Sequence, residues 1–92
     1  MKIFDWDKEK NEWLKKERKI SFEIVLEKIS NNKIIDILHH SNKEKYFHQK
    51  LFIIEHENYI YTVPFVEDEG KIFLKTIIPS RKLTKQYLKE KQ

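Results

Sequence analysis

Apolar residues in the first third of the chain recur with a helical period and predict two helices. A short strand at residues 3–5 precedes the first helix, which Asp7 caps and which runs to about Lys16. Ser21 caps the second helix, and Asn31 and Asn32 end it. Its apolar residues stand three and four apart: Phe22, Val25, Leu26 and Ile29. One inward face is expected to carry Trp6, Trp13 and Leu14.

Beyond residue 32 the pattern changes to short runs rich in β-branched and aromatic residues, which predict four strands. They cover residues 33–38, 51–56, 59–66 and 71–78. The connections at residues 57–58 and 67–70 are short enough for hairpins, so the last three strands are expected to form an antiparallel meander. In the last strand, one set of alternating residues is expected to face the core: Ile72, Leu74, Thr76 and Ile78.

Pro64 lies in what would be the central strand of that meander and cannot donate to a ladder, so a bulge or an early end of pairing is expected there. Ser80 or Thr84 caps a final helix that runs to about Lys91. Its apolar stripe consists of Leu83, Tyr87 and Leu88. The chain, residues 1–92, is thus predicted to be one α+β domain of order β-α-α-β-β-β-β-α, a small antiparallel sheet covered by the N-terminal helices.

The amino-acid composition excludes several kinds of chemistry. The absence of cysteine removes disulfides, thiolate zinc sites and cysteine nucleophiles, and a single glycine removes the glycine-rich nucleotide loops. No cofactor is expected. The charged start and the absence of an apolar run of about 20 residues predict neither a signal peptide nor a membrane span, which favours the cytoplasm.

Charge is unevenly distributed. The net charge is +4, but residues 71–92 hold seven Lys or Arg and one acid, Glu90. Such an end is typical of a protein that binds RNA, DNA or an acidic protein, and equally of a solvated helix face. Only Arg18 and Arg81 among the nineteen basic residues are arginine.

The segment of residues 39–48 brings imidazole, carboxylate, ammonium and phenol groups into one connection between strands. RNA cleavage needs a base for the 2′-hydroxyl, an acid for the 5′-oxygen and a cation for the phosphorane, with no metal required. A polar surface loop of structural role would have the same composition. His39 and His40 are adjacent rather than spaced for one face, so no metal site is expected.

Residues 79–82 follow a core strand and open a basic helix, where backbone N–H groups and two cations could meet a phosphate. Arg81 is the better anchor because its planar fork binds two oxygens. Alternatively, Arg81 pairs with Glu23 or Glu27 of the N-terminal helices.

The aromatic residues could either stack on bases or belong to the core. Tyr59, Tyr61 and Phe65 share one strand face and could stack bases, but the helices need a sheet face to cover, so we interpret them as core. Tyr46, in the polar segment, is the aromatic that we expect to stack on a base or to contact a phosphate.

Two stretches resemble the BrnT family of toxins, which are similar in fold to the RelE ribonucleases. The first is the Phe-Asp-Trp-Asp opening at residues 4–7 with Asn11 and the Ser-Phe-Glu at residues 21–23. The second is the closing strand, Arg-Lys pair and Thr-started helix of residues 77–85. Between them, His40, Ser41 and Glu44 are similar to the family's His-Ser and acidic loop.

The resemblance implies a ribonuclease that halts translation and is neutralised, in a hetero-oligomer, by a small ribbon-helix-helix DNA-binding antitoxin. Two positions depart from the family: Tyr46 and Thr76 stand where it usually has arginine. Lys45 and Lys75 could substitute electrostatically, but an ammonium group lacks the fork geometry.

The resulting hypothesis is a metal-independent endoribonuclease toxin that cleaves mRNA. Its catalytic residues are predicted to be His40, Glu44, Tyr46, Lys75 and Arg81, and its further RNA-binding residues Lys45, Lys82 and Lys85. The two groups must then meet over one cleft. The alternative is a non-catalytic RNA-binding or protein-interaction module of a toxin–antitoxin-like operon.

Overall fold

The computed structural model describes residues 3–39 and 49–88, which fold into an α+β arrangement, as predicted. The elements in chain order are β1 (Ile3–Trp6), α1 (Lys8–Glu17), α2 (Phe22–Ser30), β2 (Asp36–His39), β3 (Gln49–His56), β4 (Tyr59–Asp68), β5 (Lys71–Leu74), β6 (Ile78–Pro79) and α3 (Arg81–Leu88). The predicted order is confirmed except that the last predicted strand is divided into β5 and β6. No helix in the described part of the chain is long and apolar enough to cross a membrane.

Both predicted N-caps of the first two helices are confirmed. The Asp7 carboxylate accepts from the Lys10 N–H at 3.1 Å, and the Ser21 hydroxyl accepts from the Ile24 N–H at 3.3 Å. Each cap satisfies a donor that the helix itself leaves without a partner. The second helix ends as expected at Asn31, followed by Asn32 in the left-handed conformation with φ of 55°.

The sheet has the order β1-β5-β4-β3-β2, with β6 pairing to β4 as well. The meander β3-β4-β5 is antiparallel, as predicted. The expectation of a fully antiparallel sheet is wrong, because β1 runs parallel to β5, with Ile3 opposite Lys71 and Trp6 opposite Leu74. No tight turn connects these two strands along the chain, so nothing local constrains their relative direction.

Two-residue turns close both hairpins of the meander. Glu57 and Asn58 have φ of 52° and 63°, and Glu69 and Gly70 have φ of 50° and 82°. Positive φ at both central residues matches the right-handed twist of the flanking strands. The second turn is shorter than the predicted four-residue connection, since Asp68 already pairs with Lys71.

The expected irregularity at Pro64 is present, in the strand opposite it. Leu74 pairs with Phe65 and Ile78 with Thr62, so residues 75–77 face only residues 63 and 64. The Lys75 N–H donates to the Pro64 carbonyl at 2.8 Å, and the reciprocal bond is missing because proline has no N–H. The chain therefore bulges by one residue between β5 and β6.

This extra residue reverses the alternation of side chains. Ile72 and Leu74 are buried as predicted, but the next core residue is Ile77, which is fully buried, while Ile78 is 42% exposed. The prediction that Ile78 faces the core is wrong because a one-residue bulge moves every later side chain to the other face.

The main core lies between the helices and one face of the sheet. Leu14, Phe22 and Val25 of the helices are fully buried. They cover sheet residues that share one face: Phe52, Ile54, Val63, Phe65, Ile72 and Leu74. Ile53 and Ile60 point to the other face and are also fully buried, and α3 packs against β4.

Of the two tryptophans, one packs against the core and the other is exposed. Trp6 packs against this core and stacks on Phe22 with ring centroids 5.6 Å apart. Trp13 is 43% exposed, so its expected inward position is wrong. The buried residues of α1 are Asn11 and Leu14, and Trp13 precedes Leu14 by one position, about 100° around the helix.

Asn11 joins the two N-terminal helices. Its side-chain oxygen accepts from the Phe22 N–H at 2.8 Å, and its amide nitrogen donates to both carboxylate oxygens of Glu23, at 2.9 and 3.1 Å. This hydrogen bond from Asn11 is the largest cause of a lowered pKa for Glu23. Asn11 is only 4% exposed, so a buried side chain fixes the first turn of α2 against α1.

We expect Asn11→Ala to lower the free energy of unfolding by about 1–3 kcal/mol, because it leaves the buried Phe22 N–H without an acceptor. Urea unfolding followed by circular dichroism measures the change. Lys16→Ala, on the exposed side of the same helix, is the matched control and should change stability by less than about 0.5 kcal/mol. Equal losses in the two variants would contradict the assigned role of Asn11.

Candidate nucleic-acid interface

Helix α3 is fixed to β4 by hydrogen bonds of Ser80 and Thr84. The Ser80 N–H donates to the Ile60 carbonyl at 2.9 Å, and the Ile60 N–H donates to the Thr84 hydroxyl oxygen, also at 2.9 Å. The Thr84 hydroxyl in turn donates to the Ser80 carbonyl at 2.7 Å. Ser80, rather than Thr84, caps the helix, since its hydroxyl accepts from the Leu83 N–H at 3.2 Å.

The cations predicted on this helix are exposed to solvent. Arg81, Lys82 and Lys85 all lie on the surface, and α3 contains no acidic residue. Within residues 3–39 and 49–88, none of the three forms an ion pair. The alternative pairing of Arg81 with Glu23 does not occur, because Glu23 binds Asn11 and lies 3.9 Å from Lys15. Nor does Arg81 pair with Glu27. The described part of the chain thus leaves the positive charge at this end of the helix without an ion-pair partner.

Lys75 lies at the bulge and is also exposed. Its backbone is bonded to Pro64, whereas Ser80 is bonded to Ile60, so the two contacts are four residues apart on β4. At the rise of a strand this is about 13 Å. The predicted cations are therefore spread along one edge of β4, the edge that pairs with β5 and β6. They do not cluster at one point.

Four predicted site residues, His40, Glu44, Lys45 and Tyr46, lie outside the described residues. The strands that flank them are described: His39 pairs with Lys50 and Gln49 with Val66. Val66 is six residues along β4 from Ile60, to which α3 is bonded, a separation of about 20 Å. The shared cleft between the segment and the helix stays a prediction.

Where β4 begins, near α3, the structure brings together four side chains. We call them the aromatic corner: Arg18, His56, Tyr59 and Tyr61. The three rings share one sheet face, with centroids 5.8 Å apart for Tyr59 and Tyr61 and 6.3 Å apart for His56 and Tyr61. All four residues are half-buried. Burial raises the pKa of Tyr61, with smaller contributions from Glu57 and Tyr59, and Arg18 opposes the rise.

The sequence interpretation of the aromatic row as core is correct for Phe65, which is buried and stacks on Phe52 at 4.0 Å. It is incomplete for Tyr59 and Tyr61, which are half-buried, and of the two only Tyr61 packs against the main core. Sequence reasoning missed Arg18 and His56 as site residues. The scarcity of arginine was the available signal for Arg18, and nothing in the pattern singled out His56.

No group of three His, Asp or Glu side chains that could hold a metal ion occurs in the described part of the chain.

No family model matches this chain, and neither the search of curated proteins nor that of solved structures found a match. The resemblance to the BrnT family stays a prediction carried by the motifs.

We expect Thr84→Val to loosen α3, because valine keeps the shape of threonine but leaves the Ile60 N–H without its acceptor. Hydrogen exchange of the Ile60 amide should accelerate, and unfolding should cost about 1–3 kcal/mol less. Thr84→Ser retains the hydroxyl and is the matched control. Unchanged Ile60 exchange in the valine variant would contradict the proposed attachment.

Proposed function

We propose that this chain is a metal-independent endoribonuclease toxin of the BrnT kind, which cleaves mRNA and thereby inhibits translation. The observation that carries the proposal is the exposed charge of Arg81, Lys82 and Lys85, which forms no ion pair within residues 3–39 and 49–88, on a helix whose residues 81–88 include no acid. Cations that form no ion pair with the described residues attract a polyanion strongly, because no such pair must break first.

The attachment of α3 supports phosphate binding in particular. Ser80 and Thr84 hold the first turn of the helix to Ile60, so Arg81 and Lys82 project from a fixed backbone. The first N–H groups of a helix lack intrahelical partners and favour an anion, and the guanidinium group of Arg81 can bind two phosphate oxygens at once.

The proposed reaction is an internal transfer. The 2′-hydroxyl oxygen attacks the adjacent phosphorus, the bond to the 5′-oxygen breaks, and the products are a 2′,3′-cyclic phosphate and a 5′-hydroxyl. His40 and Glu44 are proposed to take the 2′ proton and to supply one to the 5′-oxygen, with Tyr46 orienting the base. Arg81 would neutralise the charge that develops on the phosphorane oxygens. Lys75, whose backbone contact on β4 lies about 13 Å from that of Ser80, would bind a neighbouring phosphate.

The proposal includes a cytoplasmic location and a partner. A small ribbon-helix-helix antitoxin would neutralise the toxin in a hetero-oligomer, and the simplest way to do so is to cover the α3 cations with acidic side chains.

We expect the purified protein to cleave mRNA in the presence of EDTA. His40→Ala should reduce the cleavage rate by roughly 10²- to 10⁴-fold, the usual contribution of a general acid or base. Arg81→Gln should weaken RNA binding and reduce the slope of log affinity against log salt concentration by about one phosphate contact. Gel electrophoresis of labelled RNA and fluorescence anisotropy measure the two quantities.

Each variant has a matched control. His39→Ala removes the neighbouring imidazole, and Lys16→Gln removes the same charge from α1; both should behave as the unaltered protein. Intact RNA at high protein concentration, together with unimpaired translation in cells that express the protein, would exclude the enzyme. Salt-sensitive binding without cleavage would indicate instead a non-catalytic RNA-binding module.

A further inference from the structure

The aromatic corner is built on the hairpin between β3 and β4. His56 and Tyr59 face each other across its two-residue turn, and Tyr61 follows on the same face of β4. The rings are tilted by about 60° to their neighbours, 61° for Tyr59 and Tyr61 and 57° for His56 and Tyr61. Because none of the three rings is fully buried, aromatic surface stays open to a ligand.

Arg18 contributes a cation whose orientation is fixed from two sides. One guanidinium nitrogen donates to the Ile77 carbonyl, at the bulge between β5 and β6. The guanidinium carbon lies 4.9 Å from the centre of the Trp13 ring. Since the group has five N–H donors, this arrangement leaves further donors for an anion, already oriented.

The segment that pairs with Tyr61 leads directly into the charged start of α3. Pro79 lies directly opposite Tyr61 in the sheet, and Arg81 follows two residues later. Ile77, whose carbonyl binds Arg18, precedes Pro79 by two residues, so Arg18 and Arg81 are attached to this segment on either side of Pro79. Neither Arg18 nor Arg81 forms an ion pair with an acid among residues 3–39 and 49–88.

From this geometry we propose that the aromatic corner is a nucleotide-binding site for single-stranded RNA, in which a base stacks on Tyr59 and the adjoining phosphate binds Arg18. The inference rests on the proposed function, since it takes RNA as the polyanion bound by α3. It adds recognition of an unpaired base to that surface.

The combination of groups favours a nucleotide over an acidic peptide. A peptide carboxylate would be held by the cations alone, whereas unpaired bases stack on tyrosine, histidine and arginine planes alike. Glu57 at the turn repels phosphate from the tip of the hairpin, so the phosphate is directed toward Arg18. The RNA strand would then continue over Pro79 toward Arg81.

The test is the affinity of a short single-stranded RNA that carries 2′-O-methyl groups and so cannot be cleaved. We expect Tyr59→Leu, which retains apolar bulk at this half-buried position, to weaken binding by roughly 5- to 150-fold, the loss typical of one stacked base. Tyr59→Phe keeps the ring and should bind as the unaltered protein. Arg18→Lys should also weaken binding, because the ammonium group cannot keep the Ile77 bond and bind two phosphate oxygens in one plane.

A second readout uses the neighbouring tryptophan. In a Trp6→Phe background, Trp13 is the sole tryptophan and stacks on Arg18. Its fluorescence should change on RNA binding, and the change should be absent in Arg18→Lys.

Unaltered RNA affinity in Tyr59→Leu, or an equal loss in Tyr59→Phe, would overturn the inference. Binding of the modified RNA by the corner without cleavage of ordinary RNA would uphold the inference while the enzyme proposal fails. Cleavage that is indifferent to Tyr59 and Arg18 would do the reverse.

Discussion

The missing N–H of Pro64 is the constraint on which the proposed RNA-binding surface depends. β4 is central in the sheet, and at Pro64 it can accept a bond from Lys75 but cannot return one. The opposite strand bulges by one residue there, which moves Ile77 into the core and brings Ser80 to Ile60. The attachment of α3 and the carbonyl that binds Arg18 are both consequences of this displacement.

The parts of the fold that depend on neighbouring residues could be predicted from the sequence. The caps at Asp7 and Ser21 and the turn at Glu57 follow from local hydrogen bonding and from the few residues between the strands. The parallel direction of β1 could not be predicted, since it pairs with a strand almost seventy residues away. Which residues face the core after the bulge could not be predicted either, because the alternation of side chains does not show on which strand the extra residue lies.

Only part of the candidate site could be predicted from the sequence as well. Local charge density predicted the exposed cations of α3, and their freedom from ion pairs is a property of the described structure. The aromatic corner could not be predicted, because Arg18 reaches Ile77 across 59 positions of sequence. Trp13, expected in the core, instead lies outside it and orients Arg18. The groups predicted to exchange protons lie outside the described residues, so the chemistry still rests on sequence.

The central claim is that RNA lies at the end of β4 where the hairpin turn and the start of α3 meet. An NMR titration of the ¹⁵N-labelled protein with uncleavable single-stranded RNA tests it most directly. We expect amide shift changes concentrated at Arg18, His56 to Tyr61 and Arg81 to Lys85. Changes confined to the other end of the sheet, at His39, Lys50 and Val66, would contradict it.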